Sequence, residues 1–254
     1  MTISQIKYLR SLHNKKYRQK EKKIILEGKK LINQVLNSNT KIECVWLSHA
    51  FIESTSGQEL KLKLSKKNIN WEVASEKSIA RVCESKNNQG LVAISPLPEF
   101  NKISPFPNQA IYLDGISDPG NMGTILRSAI WFGIKTILLS NDCVDPFNSK
   151  VIRSGMGSHF YFNHIITKSA SDVLMKFDKS YRILGADIKG EPMHLKNFEK
   201  HKKWVLVLGN ESKGLSEKLR LKLTDEIYID GFHQIDSLNV AVAGSIILHK
   251  LVTR

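Results

Sequence analysis

The chain reads as two α/β domains in series, the second built on a parallel sheet. Three observations predict this. Short apolar runs alternate with stretches of helical period along most of the 254 residues, the pattern of strands linked through helices. The later apolar runs are nearly continuous, as in strands covered on both faces. Between the halves, SPLPEFNKISPFPNQ at 95–109 carries Pro96, Pro98, Pro105 and Pro107, which predicts a stiff, extended connection. The expected organisation is therefore 1–95, a proline-rich linker at 96–109, and 110–254.

In the first part IILEG is a strand ending at a glycine, followed by KKLINQVLNS, where Leu31, Ile32, Val35 and Leu36 recur at helical spacing. CVWLS, EVAS and GLVAIS complete four strands, with helices expected at GQELKLKLSKKN and SEKSIARVCESK. This is a small α/β sandwich. In the second part AIYLDG, TILLS, HIIT, YRILGAD, WVLVLG and EIYID read as strands. NMGTILRSAIWFG, DVLMKFD and SLNVAVAGSIILHKLV read as helices. Ligands of such sheets bind at the loops beyond the carboxyl ends of the strands.

Composition narrows the function classes. Hydrophobic residues make up 41% of the chain, enough for real cores. No apolar run reaches the ~20 residues that span a bilayer, and the first residues lack an apolar signal core, so a cytoplasmic location is expected. Cys44, Cys83 and Cys143 are far apart and without metal spacing, which fits a reduced compartment. His159, His164 and His233 are scattered, and no metal is expected. Trp46, Trp71, Trp131 and Trp204 lie in apolar contexts that favour core packing. The formal net charge is +14. Residues 1–30 hold ten Lys and Arg against Glu21 and Glu27, a net +8. So concentrated a cationic segment suits a polyanion such as nucleic acid, with Lys15, Lys16, Arg18, Lys22 and Lys23 as its candidate backbone contacts.

Three segments carry unusual chemistry. In LDGISDPGNMGTILRSAIWFG a strand ends at Asp114-Gly115, and Asn121 is a fitting N-cap for the helix that follows. Arg127 sits six residues on among apolar neighbours, where it needs either an anionic partner or a functional role. In WVLVLGNESKGLS the strand stops at Gly209, and Asn210 and Glu211 occupy a tight turn. Walker A phosphate loops place Lys directly after their second glycine, and that position here is Leu215, which disfavours nucleotide-triphosphate binding by this turn. Glu211 could equally cap a helix beginning near Ser216. In IYIDGFHQIDSLNVAVAGSIILHKL, Ser237 is a natural N-cap and Asn239 lies in the exposed first turn.

Together N-x-G-x-x-x-R, G-N-E-x-x-G-L and S-L-N-V, in this order, resemble the three signature motifs of the SpoU (TrmH-like) RNA 2′-O-ribose methyltransferases, in the SPOUT superfamily. IILEGKKLINQVL and NNQGLVAIS resemble the start and end of that family's N-terminal substrate-binding domain. The resemblance implies a C-terminal SPOUT domain with a deep trefoil knot, a preceding L30e-like domain, and a homodimer. It implies S-adenosyl-L-methionine as cofactor, held by Gly209, Asn210, Ile229 and Leu238. It implies transfer of a methyl group to a ribose 2′-hydroxyl of RNA, with ribosomal RNA first and transfer RNA second as substrate. A non-catalytic RNA-binding or ribosome-assembly factor is the alternative from another class. Arg127 would engage the 2′-hydroxyl and adjacent phosphate, Asn121 would position Arg127 or the substrate, Glu211 would orient active-site groups, and Ser237 and Asn239 would complete the polar wall. Arg153, in KVIRSGMGSHF, could touch RNA, or belong to a glycine-rich structural turn. One departure stands out: where the family runs I-P-M-x-G, this chain has Ile229, Asp230, Gly231, Phe232 and His233.

Overall fold

A computed structural model describes all residues except 101–102, 170–171, 173, 175–176, 178, 194–201, 212, 233–235 and 254. The chain divides into two compact units, Met1–Glu99 with Phe147–Phe160, and Phe100–Pro146 with Tyr161–Arg254.

The first unit holds a mixed sheet of β1 (Lys23–Glu27), β2 (Cys44–Leu47), β3 (Asn70–Val73) and β4 (Leu91–Pro96), in the order β1-β4-β2-β3. β4 is antiparallel to β1 and β2, and β2 is parallel to β3. Period-two alternation feeds two cores. Ile24, Leu26, Val45, Leu47, Leu91 and Ala93 join one, while Ile25, Trp46, Val92 and Ile94 join the other. Helices α1 (Ile3–Ser11) and α2 (Lys15–Glu21) lie within the basic opening segment, where only cationic chain was expected. Thr2 and Gln5 form a reciprocal capping box at the start of α1, and Ile6 and Leu9 bury its inner face. α3 (Lys29–Leu36), α4 (His49–Glu53), α5 (Thr55–Lys66) and α6 (Glu76–Val82) complete the sequence-adjacent elements.

The segment 147–160, read from sequence as part of 110–254, belongs to this first unit. Its helix α8 follows α7 (Pro119–Trp131) in the chain and spans Ser149–Ser154. Ile152 is part of the core formed by Ile24, Leu26 and Val35. The expected linker is also less free than its prolines imply. Phe106 packs edge-on to Phe177 with ring centroids 5.0 Å apart, and the Tyr181 hydroxyl donates to the Pro107 carbonyl at 3.2 Å.

The second unit is a six-stranded sheet. Its strands are β5 (Gln109–Leu113), β6 (Thr136–Leu139), β7 (His164–Thr167), β8 (Arg182–Pro192), β9 (Trp204–Leu208) and β10 (Asp225–Tyr228). They run β10-β8-β9-β5-β6-β7, and every pairing is parallel. The loops after β5, β9 and β10 therefore open at one edge of the sheet. α7 buries Met122, Ile125, Leu126 and Ala129. The remaining helices are α9 (Glu217–Arg220) and α10 (Val240–Val252). α7 and α10 are joined by a 2.7 Å hydrogen bond between the Ser128 and Ser245 hydroxyls. Most of the expected helix DVLMKFD, and His233, lie outside the described residues. No helix among the described residues is long and apolar enough to cross a membrane.

Trp46 and Trp204 are buried as expected, but Trp131 is 84% exposed on the outer face of α7. His159 is fully buried, with its ring 5.6 Å from that of Phe147.

Candidate active site

Two helix starts set the geometry. The N-cap of α7 is Asp118, not Asn121; Pro119 takes the first turn, and the Asp118 carboxylate accepts from the Asn121 backbone N–H at 2.8 Å. That frees the Asn121 side chain. The N-cap of α10 is Asn239, not Ser237, and its Oδ1 accepts from the N–H groups of Ala241 and Val242 at 3.0 and 3.3 Å. Its Nδ2 is left to reach outward.

The freed groups meet. Asn121 Nδ2 donates to Glu211 Oε1 at 2.7 Å, and Asn239 Nδ2 donates to Asn121 Oδ1 at 2.9 Å. Three residues spread over 118 positions of sequence thus form one hydrogen-bonded chain. Glu211 does not cap α9. Its carboxylate is spent on Asn121, and Ser216 is the N-cap there.

The turn that presents Glu211 is closed by its backbone. Asn210 and Gly214 exchange N–H···O bonds of 3.1 and 2.9 Å, with Gly214 at φ +64. Gly209 must be a glycine for space, because a Cβ there would meet the Gly214 carbonyl oxygen at 2.5 Å. The Asn210 side chain ties the turn to the end of β5, donating to the Gly115 carbonyl at 2.8 Å.

These loops line a cavity of about 630 Å³, and Gly209, Asn210, Glu211, Ile229, Ser237, Leu238 and Asn239 all contribute to it. The volume falls within the range of small-molecule sites, roughly 300–1,000 Å³. Leu208, Ile227 and Ile247 supply apolar lining. The sequence reading missed Asp187 and Arg220, which also line it. Arg220 donates to Glu226 at 2.5 Å and to Asp187, clamping α9 to β8 and β10. Burial works against its charge, yet the two carboxylates prevail and hold its pKa above the ordinary value. No motif could have announced this trio, since Asp187 and Arg220 are 33 residues apart.

Arg127 is exposed on α7 and is not part of the cavity lining; among the described residues no carboxylate pairs with it. The first of its two sequence-derived readings, a buried ion pair, is therefore lost.

The candidate RNA contacts of the first unit separate. Lys15 and Lys16 are exposed at the start of α2. Lys22 is exposed and lies 3.4 Å from the Glu99 carboxylate. Lys23 is hydrogen-bonded to Glu43 at 2.6 Å, which raises its pKa against the opposing effect of burial. Arg18 is buried, its guanidinium donating to the Leu12 and His13 carbonyls that end α1. It serves as an internal cap, and its surface role is withdrawn. Arg153 lies 3.3 Å from the buried Glu27 carboxylate.

A parallel α/β unit with a cavity lined by the G-N-E-x-x-G-L and S-L-N-V segments, and with Asn121 of N-x-G-x-x-x-R hydrogen-bonded to both, is the arrangement that the resemblance to the RNA 2′-O-ribose methyltransferases implied. The comparisons are narrower. The family model described as the SpoU rRNA Methylase family matches residues 108–249, and the chain belongs to that family. An MRM3-like substrate binding domain matches residues 4–93. The 23S rRNA (guanosine(2553)-2′-O)-methyltransferase RlmP of Bacillus subtilis is 27% identical over 247 residues, covering 97% of this chain and 95% of that one. A solved structure assigned to the TrmH family of RNA methyltransferases, from Porphyromonas gingivalis, superposes with a TM-score of 0.82 at 28% identity, covering 99% of this chain and 98% of that one. An AdoMet-bound rRNA methyltransferase from Sinorhizobium meliloti gives 0.82 at 25% identity, covering 99% and 95%.

Proposed function

We propose that this chain is an S-adenosyl-L-methionine-dependent RNA ribose 2′-O-methyltransferase acting on ribosomal RNA. The observation that carries the reading is the Glu211–Asn121–Asn239 chain at the rim of the cavity, in a member of this family. The cavity suits the cofactor. Its glycine-walled turn admits close backbone contact, and its apolar residues can cover a nucleoside. Gly209, Asn210, Ile229 and Leu238 would hold it. When bound, it supplies a methyl group on a sulfonium, which leaves as a neutral thioether.

The protein's own task is to position and stabilise the 2′-oxygen as it forms the C–O bond and loses its proton. A guanidinium offers donors and no acceptor, so the part of Arg127 is to orient the ribose and adjacent phosphate and to offset developing negative charge. Asn121, held from both sides, fixes the first turn of the helix that bears Arg127. Ser237 is exposed two residues before the Asn239 cap and lines the cavity with it. Exposed Lys15 and Lys16 would hold RNA phosphates without selecting sequence.

The homodimer and trefoil knot belong to the same reading. Trp131, Val242 and Ile246 are exposed on α7 and α10, at 84, 47 and 42%, an apolar surface that a second copy would cover. The reaction is placed in the cytoplasm.

Radiolabelled S-adenosylmethionine, the protein, and total RNA from a strain lacking its gene make the test. The expected result is 2′-O-methylation at a defined nucleotide of ribosomal RNA. Label confined to transfer RNA would move the substrate. Cofactor binding without label in any RNA would favour a binding factor. Arg127→Ala should abolish transfer with cofactor affinity and folding intact; normal activity would remove Arg127 from its role.

A further inference from the structure

The cavity at the carboxyl edge has one wall that the sheet does not hold. The ladders of β8 with β9 and with β10 both stop at Gly185, and the second resumes only at Glu191. Residues 186–190 bulge out between these points, and Ala186, Asp187, Ile188 and Lys189 line the cavity. Ile188, midway along the bulge, is 67% exposed. We propose that Arg220 is a positioning residue for S-adenosylmethionine, fixing this bulge through Asp187 before the cofactor arrives. The inference rests on the cofactor reading of the cavity and gives a part in it to a residue outside the three motifs.

Asp187 holds the bulge from within. Its Oδ1 accepts from the Lys189 N–H at 3.0 Å, and its Oδ2 accepts from Arg220 Nη2. The Asp187 side chain is only 8% exposed, so solvent competes little for these bonds. Arg220 Nη1 donates in turn to Glu226 at 2.5 Å. Glu226 stands where the ladder breaks, since the register shifts between Glu226 and Ile227. One guanidinium therefore spans the gap that the backbone ladder leaves open, from strand to bulge. Without it the cofactor would have to order the bulge itself, and ordering a segment on binding is subtracted from affinity. A wall already in place avoids that loss.

A fastening that served stability alone predicts a different pattern. The same two strands are tied by a second ion pair, in which Arg182 Nε donates to Asp225 Oδ2 at 2.9 Å. Neither residue is among the described lining of the cavity. Arg182 thus supplies a control of the same chemistry on the same strands, away from the bulge.

The test is titration calorimetry of the full chain with S-adenosylmethionine, alongside urea unfolding. Arg220→Met and Arg182→Met should both lower the unfolding midpoint. Only Arg220→Met should raise Kd, by about tenfold, the scale of one hydrogen bond to a charged group. Arg220→Lys, a point charge able to serve one carboxylate but not both, should recover part of the affinity. Glu226→Gln weakens the outer hold on Arg220 without altering a lining residue, and should raise Kd by a smaller factor. If circular dichroism shows Arg220→Met unfolded, the Lys and Gln variants carry the test. Folded variants at Arg220 and Glu226 whose Kd equals that of Arg182→Met overturn the positioning role and leave Arg220 a fastening. An unaltered chain without affinity for S-adenosylmethionine overturns the cofactor reading, and the role of Arg220 with it.

Discussion

Asn121 has one amide to divide between two neighbours, and charge decides the division. A carboxylate oxygen accepts, so Nδ2 faces Glu211 and Oδ1 is left for Asn239. Asn121→Asp would put a second carboxylate where the donor stood. A hydrogen bond to a charged group is worth about 1.5–3 kcal/mol, so methyl transfer should fall roughly ten- to a hundredfold. Cofactor binding measured by calorimetry should hold, and an unchanged kcat would detach this hydrogen-bonded chain from the chemistry. The polar trio was legible in sequence because each member sits in a motif of fixed spacing. Arg18 was not, because its partners are carbonyls at a helix end, and such a partner has no residue type. Trp131 misled for a related reason: a helix has two faces, and apolar neighbours in sequence do not say which one a residue occupies.

Glycines separate two kinds of constraint within the turn after β9. At Gly214 a Cβ would come no closer than 3.5 Å to Asp187, so only its positive φ resists substitution. At Gly209 a Cβ would meet backbone at 2.5 Å. Gly214→Ala should therefore cost about 1–2 kcal/mol of stability and keep some cofactor binding. Gly209→Ala should displace the turn and lose cofactor binding altogether. Titration calorimetry on both variants checks the order, and equal effects would refute it. At this scale the strands were the most legible elements, since ten apolar runs became ten strands. α1 and α2 escaped because lysines interrupt their apolar spacing, although Thr2 and Gln5 already spelled a capping box. The true starts of α7 and α10 were one turn or less away from the expected ones. Several residues there are competent caps, and tertiary bonds choose among them.

Across the molecule, the first unit is organised around a buried carboxylate. Glu27 accepts from the backbone N–H groups of Glu84 and Ser85 at 2.9 and 3.0 Å and faces Arg153 at 3.3 Å. Glu27→Ala should cost about 3 kcal/mol in urea unfolding, the scale of breaking a buried ion pair; an unchanged midpoint would deny it that role. Beside it, burial and then Glu27 push the Cys83 thiol up to about 12, with Arg153 opposing. An unfolded thiol ionises near 9.0, so the neutral folded thiol stabilises fully below that pH. Its contribution is lost as pH rises from 9 toward 12. Cys83→Ala should flatten the alkaline fall in unfolding midpoint, and an identical fall would remove this source. None of this was legible in sequence, because Glu27 and Arg153 become neighbours only once the fold exists.

The membership of 147–160 in the first unit also sets an order of events during synthesis. The ribosome delivers residues 1–99 long before Ile152 fills their core and Arg153 offsets Glu27. Until residue 160 clears the exit tunnel, the nascent first unit lacks a piece of its own interior, while β5, α7 and β6 are already outside. A gene fragment cut at the proline-rich stretch would inherit the same defect permanently. Swapping this first unit between relatives consequently calls for two exchanged segments, not one.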